Sequence, residues 1–429
     1  MNGGGREIQR RHLLNEQGEV TMAHKRILIL TLSFGTGHVV ASAAIAQATR
    51  QLDGAAEVRT IDCIQFSTWW FRAAYVWPYW MMIRFAPWLW IRLFRARQAG
   101  MHQQTAPAWL FRLGCRRVFQ QIREWKPDVL VATEVGACEI ASLAKRHQGL
   151  CTPLCAVATD HESEPVWVKE EVDQYFVPTP RVAEQLNRWG VDRQRISVSG
   201  IPVHSKFFRG AASGVIRERL GFPNDRPLVL IMGGGMGPLR MDQLVGELST
   251  LPRALSIVAV AGLNTKMQKR LEQMKSQMPS DKSLTIYGWV ENVDELMRAA
   301  DVLVTKPGGI TLTEASSVGV PMVCVNPIPG PEQVHCRLIE EEELGAVARS
   351  LDEVCAKVAA ILDRGKPRAS RPFPGWLRRD AAEQIARSAL QGFSSTRTQE
   401  GNAYPTPPAD SGAVPGREAR VLLQSFETE

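Results

Sequence analysis

The residues best placed to do chemistry lie between 305 and 335, TKPGGITLTEASSVGVPMVCVNPIPGPEQVH. An apolar run at 302–304 ends in Lys306-Pro307-Gly308-Gly309, which forces a tight turn before a helix. Thr311 or Thr313 is positioned to cap that helix, and Glu314 lies near its start. A glycine turn ahead of a helix leaves backbone N–H groups free, and the helix dipole adds partial positive charge. The turn therefore suits a phosphate, with Lys306, Gly308, Gly309 and Thr311 around it and Glu314 ready to accept hydrogen bonds from sugar hydroxyls. A second apolar run, 322–325, leads into Asn326-Pro327-Ile328-Pro329-Gly330, a rigid loop carrying Glu332 and Gln333. Two such units side by side make a cleft at the carboxyl edge of a parallel sheet.

Three further stretches carry chemistry on the same pattern of strand, turn and helix. The run 27–32 ends in Ser33-Phe34-Gly35-Thr36-Gly37-His38 and is followed by an alanine-rich helical stretch, 41–52. His38 there reads either as a capping or packing residue or as a general base, since imidazole titrates near neutral pH. Asp160, after the buried run 153–159, either assists a reacting hydroxyl or caps a turn. The run 228–232 enters Gly233-Gly234-Gly235-Met236-Gly237-Pro238, either a plain turn or a cradle in which side-chain-free backbone approaches a diphosphate.

The elements that must position these residues alternate strand and helix along most of the chain. Its 429 residues are 45% hydrophobic and 22% charged, a globular balance with room for two domains. A net charge of +7 favours anionic partners such as nucleotides, nucleic acids or acidic lipid surfaces. The eight cysteines are scattered without a C-x-x-C pair, so neither a zinc nor a redox signature is present and reduced thiols are expected. Residues 1–24 are polar and lack the apolar core of a secretory signal. No run approaches the ~20 apolar residues that cross a bilayer.

One stretch breaks the pattern. From Cys63 to Arg123 there is no Asp or Glu, yet seven of the twelve tryptophans fall here: Trp69, Trp70, Trp77, Trp80, Trp88, Trp90 and Trp109. Arg72, Arg84, Arg92, Arg95 and Arg97 are interleaved, and Pro78 and Pro87 divide the stretch into short helices. Trp and Arg suit the boundary between acyl chains and anionic headgroups, so an anchor lying in the membrane plane is expected. A buried aromatic core segment, or a base-stacking surface for nucleic acid, would use the same residue types.

The motif KPGG-x-T-x-x-EA followed by G-x-P and NP-x-PG-x-E resembles the nucleotide-sugar site of glycosyltransferases with two Rossmann-like domains facing a central cleft, the GT-B fold of the α/β class. Within these the chain is similar to the monogalactosyldiacylglycerol synthases and processive diacylglycerol glucosyltransferases, relatives of the peptidoglycan N-acetylglucosaminyltransferase. SFGTGH matches the family's S-x-G-x-GH, Val198-x-GIPV with Phe207 matches its turn between domains, and Thr159-Asp160 with Trp167 matches its TD…W pattern. The resemblance runs from about residue 25 to 390. Three positions depart from it. Glu164 stands where the family carries His, with His161 nearby; Pro331 replaces a Gln; His335 stands where Asn is usual.

The resemblance implies an inverting transfer of a hexose from a UDP-sugar to a diacylglycerol-type lipid, or to another lipid or lipid-linked acceptor; a non-catalytic UDP-sugar- or membrane-binding relative is the other alternative. His38 or Asp160 is then the base. Gly35 and Gly37 face the acceptor. Gly233, Gly234, Gly235 and the helix after Gly309 hold the diphosphate, and Glu314 holds the ribose. Gly288 and Val290 border the uracil, and Glu332 and Gln333 hold the sugar, whose identity stays open. Trp69, Trp70, Trp77, Trp80, Arg84, Trp88, Trp90 and Arg92 form the acceptor and membrane face. No Asp-x-Asp pair occurs, so no metal and no cofactor beyond the UDP-sugar co-substrate is expected. The expected partners are the UDP-sugar, the lipid and an anionic membrane surface, with no nucleic acid, and the expected location is peripheral, on the cytoplasmic face of a membrane. The expected organisation is a disordered extension at 1–24, an acceptor and membrane-binding domain at 25–208, a linker at 209–227, a nucleotide-sugar domain at 228–375, a helix returning to the first domain at 376–391, and a disordered tail at 392–429.

Overall fold

The computed structural model describes residues 24–99, 104–233, 239–328, 330–365 and 373–392, with the backbone of 12–14 and 20–22. Part of the expected disordered extension is ordered: β1 (His12–Leu14) pairs antiparallel with β2 (Val20–Met22).

The first large sheet contains β3 (Arg26–Thr31), β4 (Glu57–Asp62), β5 (Val129–Ala132), β6 (Leu154–Val157), β7 (Gln174–Val177) and β8 (Ile196–Val198). All are parallel, in the order β4-β3-β5-β6-β7-β8. The apolar runs are continuous because both faces of the sheet are covered. In β3, Leu28 and Leu30 join one core while Ile27 and Ile29 join another on the opposite face.

The second sheet repeats the plan with β9 (Leu228–Met232), β10 (Leu255–Val260), β11 (Lys282–Tyr287), β12 (Val302–Thr305), β13 (Met322–Cys324) and β14 (Gly345–Val347). Its order is β11-β10-β9-β12-β13-β14, again all parallel. The strand order reverses between β3 and β5 in one sheet and between β9 and β12 in the other. Loops at such reversals splay apart and leave a crevice. The chain just past these four strands carries His38, in the first turn of the following helix, and Thr133, Gly233 and Lys306, in loops.

One expected boundary changes. Residues 209–227 are not a free linker, since the helix Ser213–Leu220 lies within them and belongs to the second domain. Its buried Arg217 meets Asp301 Oδ2 at 2.5 Å and donates to the Ala299 carbonyl at 2.8 Å, and Ile216 and Phe222 enter the core beneath β9. The helix Pro331–Glu341 leads into β14. The glycine of that short strand is required by contact: a Cβ on Gly345 would sit 1.9 Å from the Met322 carbonyl oxygen.

The helix Ala381–Gln391 lies on the first domain, where Ile385 and Ala389 pack with Ile27 and Ile29. Lys25 Nζ ties it down by donating to the Leu390 carbonyl at 2.6 Å.

Candidate active site

The helix after β3 begins at Thr36, earlier than its alanine-rich body suggests, so His38 lies in its first turn. Its N-cap, Gly35, has no side chain and makes no capping hydrogen bond of its own. His38 Nδ1 lies 3.1 Å from the Thr133 carbonyl oxygen and 2.9 Å from Thr159 Oγ1. A carbonyl can only accept, so Nδ1 carries the hydrogen and Nε2 of the neutral ring keeps its lone pair. Burial pushes the His38 pKa down; the Asp160 carboxylate opposes this and Lys306 adds to it. The ring is therefore neutral at physiological pH with one basic nitrogen, the state a general base needs.

On the opposite wall the helix Gly309–Val318 starts at once after the turn, with Gly308 as N-cap and again no side-chain cap. The expected threonine cap is not made, because the helix begins ahead of both threonines. Thr313 Oγ1 donates back to the Gly309 carbonyl at 2.8 Å, and Thr311 is half-buried beside Gly308. For the same reason Glu314 sits in the second turn, not the first. It is buried, and burial pushes its pKa up to about 8, with Lys206 opposing and Asp294 reinforcing the rise. A neutral carboxyl both donates and accepts, which suits a pair of ribose hydroxyls.

Glu332 and Gln333 lie on the first turn of the helix Pro331–Glu341, not on a rigid loop. Proline at a first helical position loses no hydrogen bond, and Pro331 therefore starts this helix. Glu332 is buried and both its oxygens are engaged: Oε1 with Lys306 Nζ at 2.8 Å, Oε2 with the Ile328 N–H at 2.7 Å. It thereby fixes the Lys306 turn against the loop after β13. Gln333 is exposed. A Cβ on Gly233 would lie 3.0 Å from Met241 Cε, so this glycine permits close packing at the end of β9. Gly234 and Gly235 lie outside the described residues. Gly288 sits beside Gln268 and the Gly262 carbonyl, and Val290 packs on the second-domain core.

The two walls touch. A Cβ on Gly37 would lie 3.2 Å from Ile310 Cγ1, and Ala41 shares a core with Ile310. A Cβ on Gly309 would lie 2.4 Å from the Thr159 carbonyl oxygen and 3.1 Å from Asp160 Oδ1. His38 and Asp160 of the first domain therefore face the uncapped helix start at Gly309. His335 also joins the walls. Fully buried, its Nδ1 lies 2.7 Å from the Pro307 carbonyl oxygen, and its Nε2 accepts the His161 N–H at 3.2 Å and lies 4.0 Å from Asp160 Oδ1.

Comparison with known proteins agrees with this architecture. Residues 38–203 match the family model described as monogalactosyldiacylglycerol (MGDG) synthase, and residues 214–369 match that of glycosyl transferases group 1. A processive diacylglycerol beta-glucosyltransferase of Bacillus cereus strain G9842 is 30% identical over 338 residues, 79% of this chain and 85% of that protein. The chain belongs to the family of monogalactosyldiacylglycerol synthases and processive diacylglycerol glucosyltransferases. The same name belongs to a Bacillus licheniformis relative, 29% identical over 79% of this chain and 87% of that one. Among solved structures, the UDP-GlcNAc 2-epimerase of Neisseria meningitidis bound to UDP-GlcNAc shares the fold, with a TM-score of 0.51, 14% identity and coverage of 86% of this chain and 100% of that chain.

The aromatic stretch of this family member divides into two layers. Trp69, Trp77 and Trp88 are exposed, as are Arg84 and Arg92, and Met81, Phe85, Leu89, Trp109 and Leu113 join them. The inner layer corrects part of the expected membrane face. Trp90 is buried, edge-on to Tyr79 at 5.1 Å and beside Phe94, while Trp70 packs on the first-domain core and Trp80 is half-buried. Pro87 breaks the stretch, but Pro78 sits in the first turn of the helix Trp77–Phe85 and breaks nothing. Arg97 reaches Glu164 Oε2 at 3.4 Å, so the departure at Glu164 anchors the helix Pro87–Gln98 to the loop after Asp160. Phe94 of that helix lies under Gly330, where a Cβ would be 2.9 Å from its ring and φ is +99°.

Sequence reasoning missed three residues. Tyr79 stacks edge-on to Phe34 of the His38 loop at 5.2 Å. Glu134, buried at the end of β5, accepts the Gly136 and Ala137 N–H groups at 2.6 and 3.0 Å, and burial pushes its pKa up to about 7. His335 showed in the sequence only as a departure from the family's usual Asn. Among the described residues no helix is long and apolar enough to cross a membrane.

Proposed function

We propose that this chain moves a hexose, glucose on the names of its relatives, from a UDP-sugar to a diacylglycerol-type lipid at a membrane surface, with inversion at the anomeric carbon. The observation that carries this reading is the closed cleft, in which His38 and Asp160 face the uncapped helix start at Gly309. His38 Nε2 removes the proton of the lipid hydroxyl as its oxygen attacks the anomeric carbon, and Asp160 supports the imidazolium that forms. The bond to the UDP oxygen breaks on the opposite face, and the leaving diphosphate gathers charge against the N–H groups of Gly309 and its neighbours and against Lys306. Charge stabilisation from dipoles and one ammonium suits turnover without a divalent metal. Glu314 holds the ribose, and the loop at Gly288 and Val290 lines the base. Glu332 orders the sugar-side loop through Lys306 and Ile328, leaving the exposed Gln333 to meet the sugar.

The exposed Trp69, Trp77, Phe85 and Trp88, flanked by Arg84 and Arg92, form the docking face for an anionic bilayer. The ring layer of half-buried Phe34 and Tyr79 and buried Trp90 and Phe94 connects that face to the His38 loop, the path an acyl glycerol would take. The test is UDP release with a panel of UDP-sugars, with and without diacylglycerol in anionic vesicles. Release that needs one sugar and the lipid together supports the reading. Release at the same rate without lipid overturns the acceptor.

A further inference from the structure

A residue that bridges the two walls by hydrogen bonds is His335, on the helix that carries Glu332. It has no exposed surface, and its two ring nitrogens face different domains. Nδ1 lies 2.7 Å from the Pro307 carbonyl oxygen, and Nε2 lies 3.2 Å from the His161 backbone nitrogen. The pattern fits one tautomer. A carbonyl accepts, so Nδ1 carries the hydrogen; a backbone N–H donates, so Nε2 supplies the lone pair. Pro307 belongs to the turn that starts the Gly309 helix. His161 follows Asp160, and its ring is wedged edge-on between His335, at 5.4 Å, and Trp376, at 4.7 Å.

We propose that His335 is a positioning residue for transfer: as a bridge between two backbone groups it sets the Thr159–His161 loop, and with it Asp160 and the oxygen that holds His38, against the donor-side turn at Pro307. This rests on the transferase reading above and adds to it the residue that registers the acceptor wall on the donor wall. Both ring nitrogens of His335 hydrogen-bond backbone, and Nε2 lies 4.0 Å from Asp160 Oδ1, so it acts through the loop and Asp160 rather than on the reacting atoms. Thr159 Oγ1 is 2.9 Å from His38 Nδ1, so a displaced loop displaces the base. Reaction rates are sensitive to misplacement of this kind.

The test compares the full-length protein with His335→Phe and His335→Gln. Phenylalanine fills the ring's volume but bridges nothing, whereas glutamine keeps one donor and one acceptor on a single planar group. Expected for His335→Phe is a fall in kcat of about tenfold or more, from the loss of two hydrogen bonds, with the Kd for UDP changed by less than about threefold. His335→Gln should recover most of kcat. Hydrogen–deuterium exchange at the peptide bearing the His161 amide is read in parallel, and should quicken in His335→Phe and return towards wild type in His335→Gln. An unchanged kcat in His335→Phe, or equal losses in both variants, overturns the proposal. The exchange measurement needs no turnover. If the wild-type protein transfers no sugar, the function reading fails alone, and unchanged exchange in His335→Phe overturns the bridge separately.

Discussion

Adding one methyl group at Gly309 tests whether the closed cleft is the reacting state. The backbone there is ordinary helix, so Gly309→Ala costs no conformational strain and gains up to ~1 kcal/mol of helix propensity. The new Cβ would stand 2.4 Å from the Thr159 carbonyl oxygen, 3.1 Å from Asp160 Oδ1 and 3.3 Å from His335 Cε1, where ordinary contact begins at 3.4 Å. The Thr159 carbonyl cannot yield cheaply, because it is backbone at the end of β6, and the neighbouring Ala158 N–H is bonded to the Phe176 carbonyl at 2.9 Å. The walls must therefore part by about 1 Å, a displacement that costs on the order of 100-fold when it separates a base from its leaving-group site. The assay is initial-rate UDP release at saturating UDP-sugar and lipid, with UDP binding measured by calorimetry. The methyl points at the first domain rather than at the helix N–H groups, so the Kd for UDP should stay within about threefold while kcat falls. A kcat within about twofold of wild type, in a protein of unchanged stability, would refute the closed cleft as the state in which transfer occurs.

Three other perturbations follow from the same geometry. His38→Ala should lower kcat by about 10²- to 10⁴-fold with UDP binding intact, and in the wild type the acid limb of kcat/KM should lie below the ordinary histidine value of about 6.5; an acid limb above it would contradict the buried, neutral base. Glu314→Gln should stabilise the ligand-free protein in alkaline but not acidic solution. The folded carboxyl titrates at about 8 against an ordinary 4.5, so its favourable contribution is complete below the unfolded value and is lost as pH rises through about 8, while glutamine loses nothing. Urea midpoints at about pH 4 and pH 9 read this difference, which amounts to a few kcal/mol; a destabilised variant at the higher pH would contradict it. Replacing Trp69, Trp77, Phe85 and Trp88 together by Ser should weaken sedimentation with anionic vesicles by at least about tenfold, since each lost ring forfeits on the order of 1 kcal/mol or more of apolar burial. Unchanged sedimentation would remove these side chains from the docking face.

β3, β6, β9, β12 and β13 were legible because strands buried on two faces read as short apolar runs, as at 27–30 and 228–232. β14 was not, because three residues headed by a glycine carry no periodicity, and that glycine answers to the Met322 carbonyl, a partner 23 residues away in sequence. Helix starts were misplaced wherever no side chain caps them. Gly35 and Gly308 cap without a side chain and give no sequence signal of a start, so the second helix begins ahead of Thr311 and Thr313 and Glu314 falls in its second turn. His38 and Asp160 could be nominated from their place after a strand, but their meeting depends on two loops 121 residues apart joined by Thr159. The aromatic stretch was legible as a composition and not as a surface. Helical phase decides that Trp88 faces out and Trp90 faces Tyr79, in a helix that starts afresh at Pro87, and composition carries no phase. The linker was misjudged because Arg217 reads as solvent-exposed until its buried partner Asp301 is known.

The most direct measurement is the anomeric configuration of the lipid product made from ¹³C-labelled UDP-glucose and diacylglycerol vesicles, read by NMR of the extracted lipid. A single base opposite a departing UDP predicts a β-linked glucosyl lipid formed in step with UDP release. An α-linked lipid, or free glucose with no labelled lipid, would contradict direct inverting transfer in the cleft between His38 and Gly309.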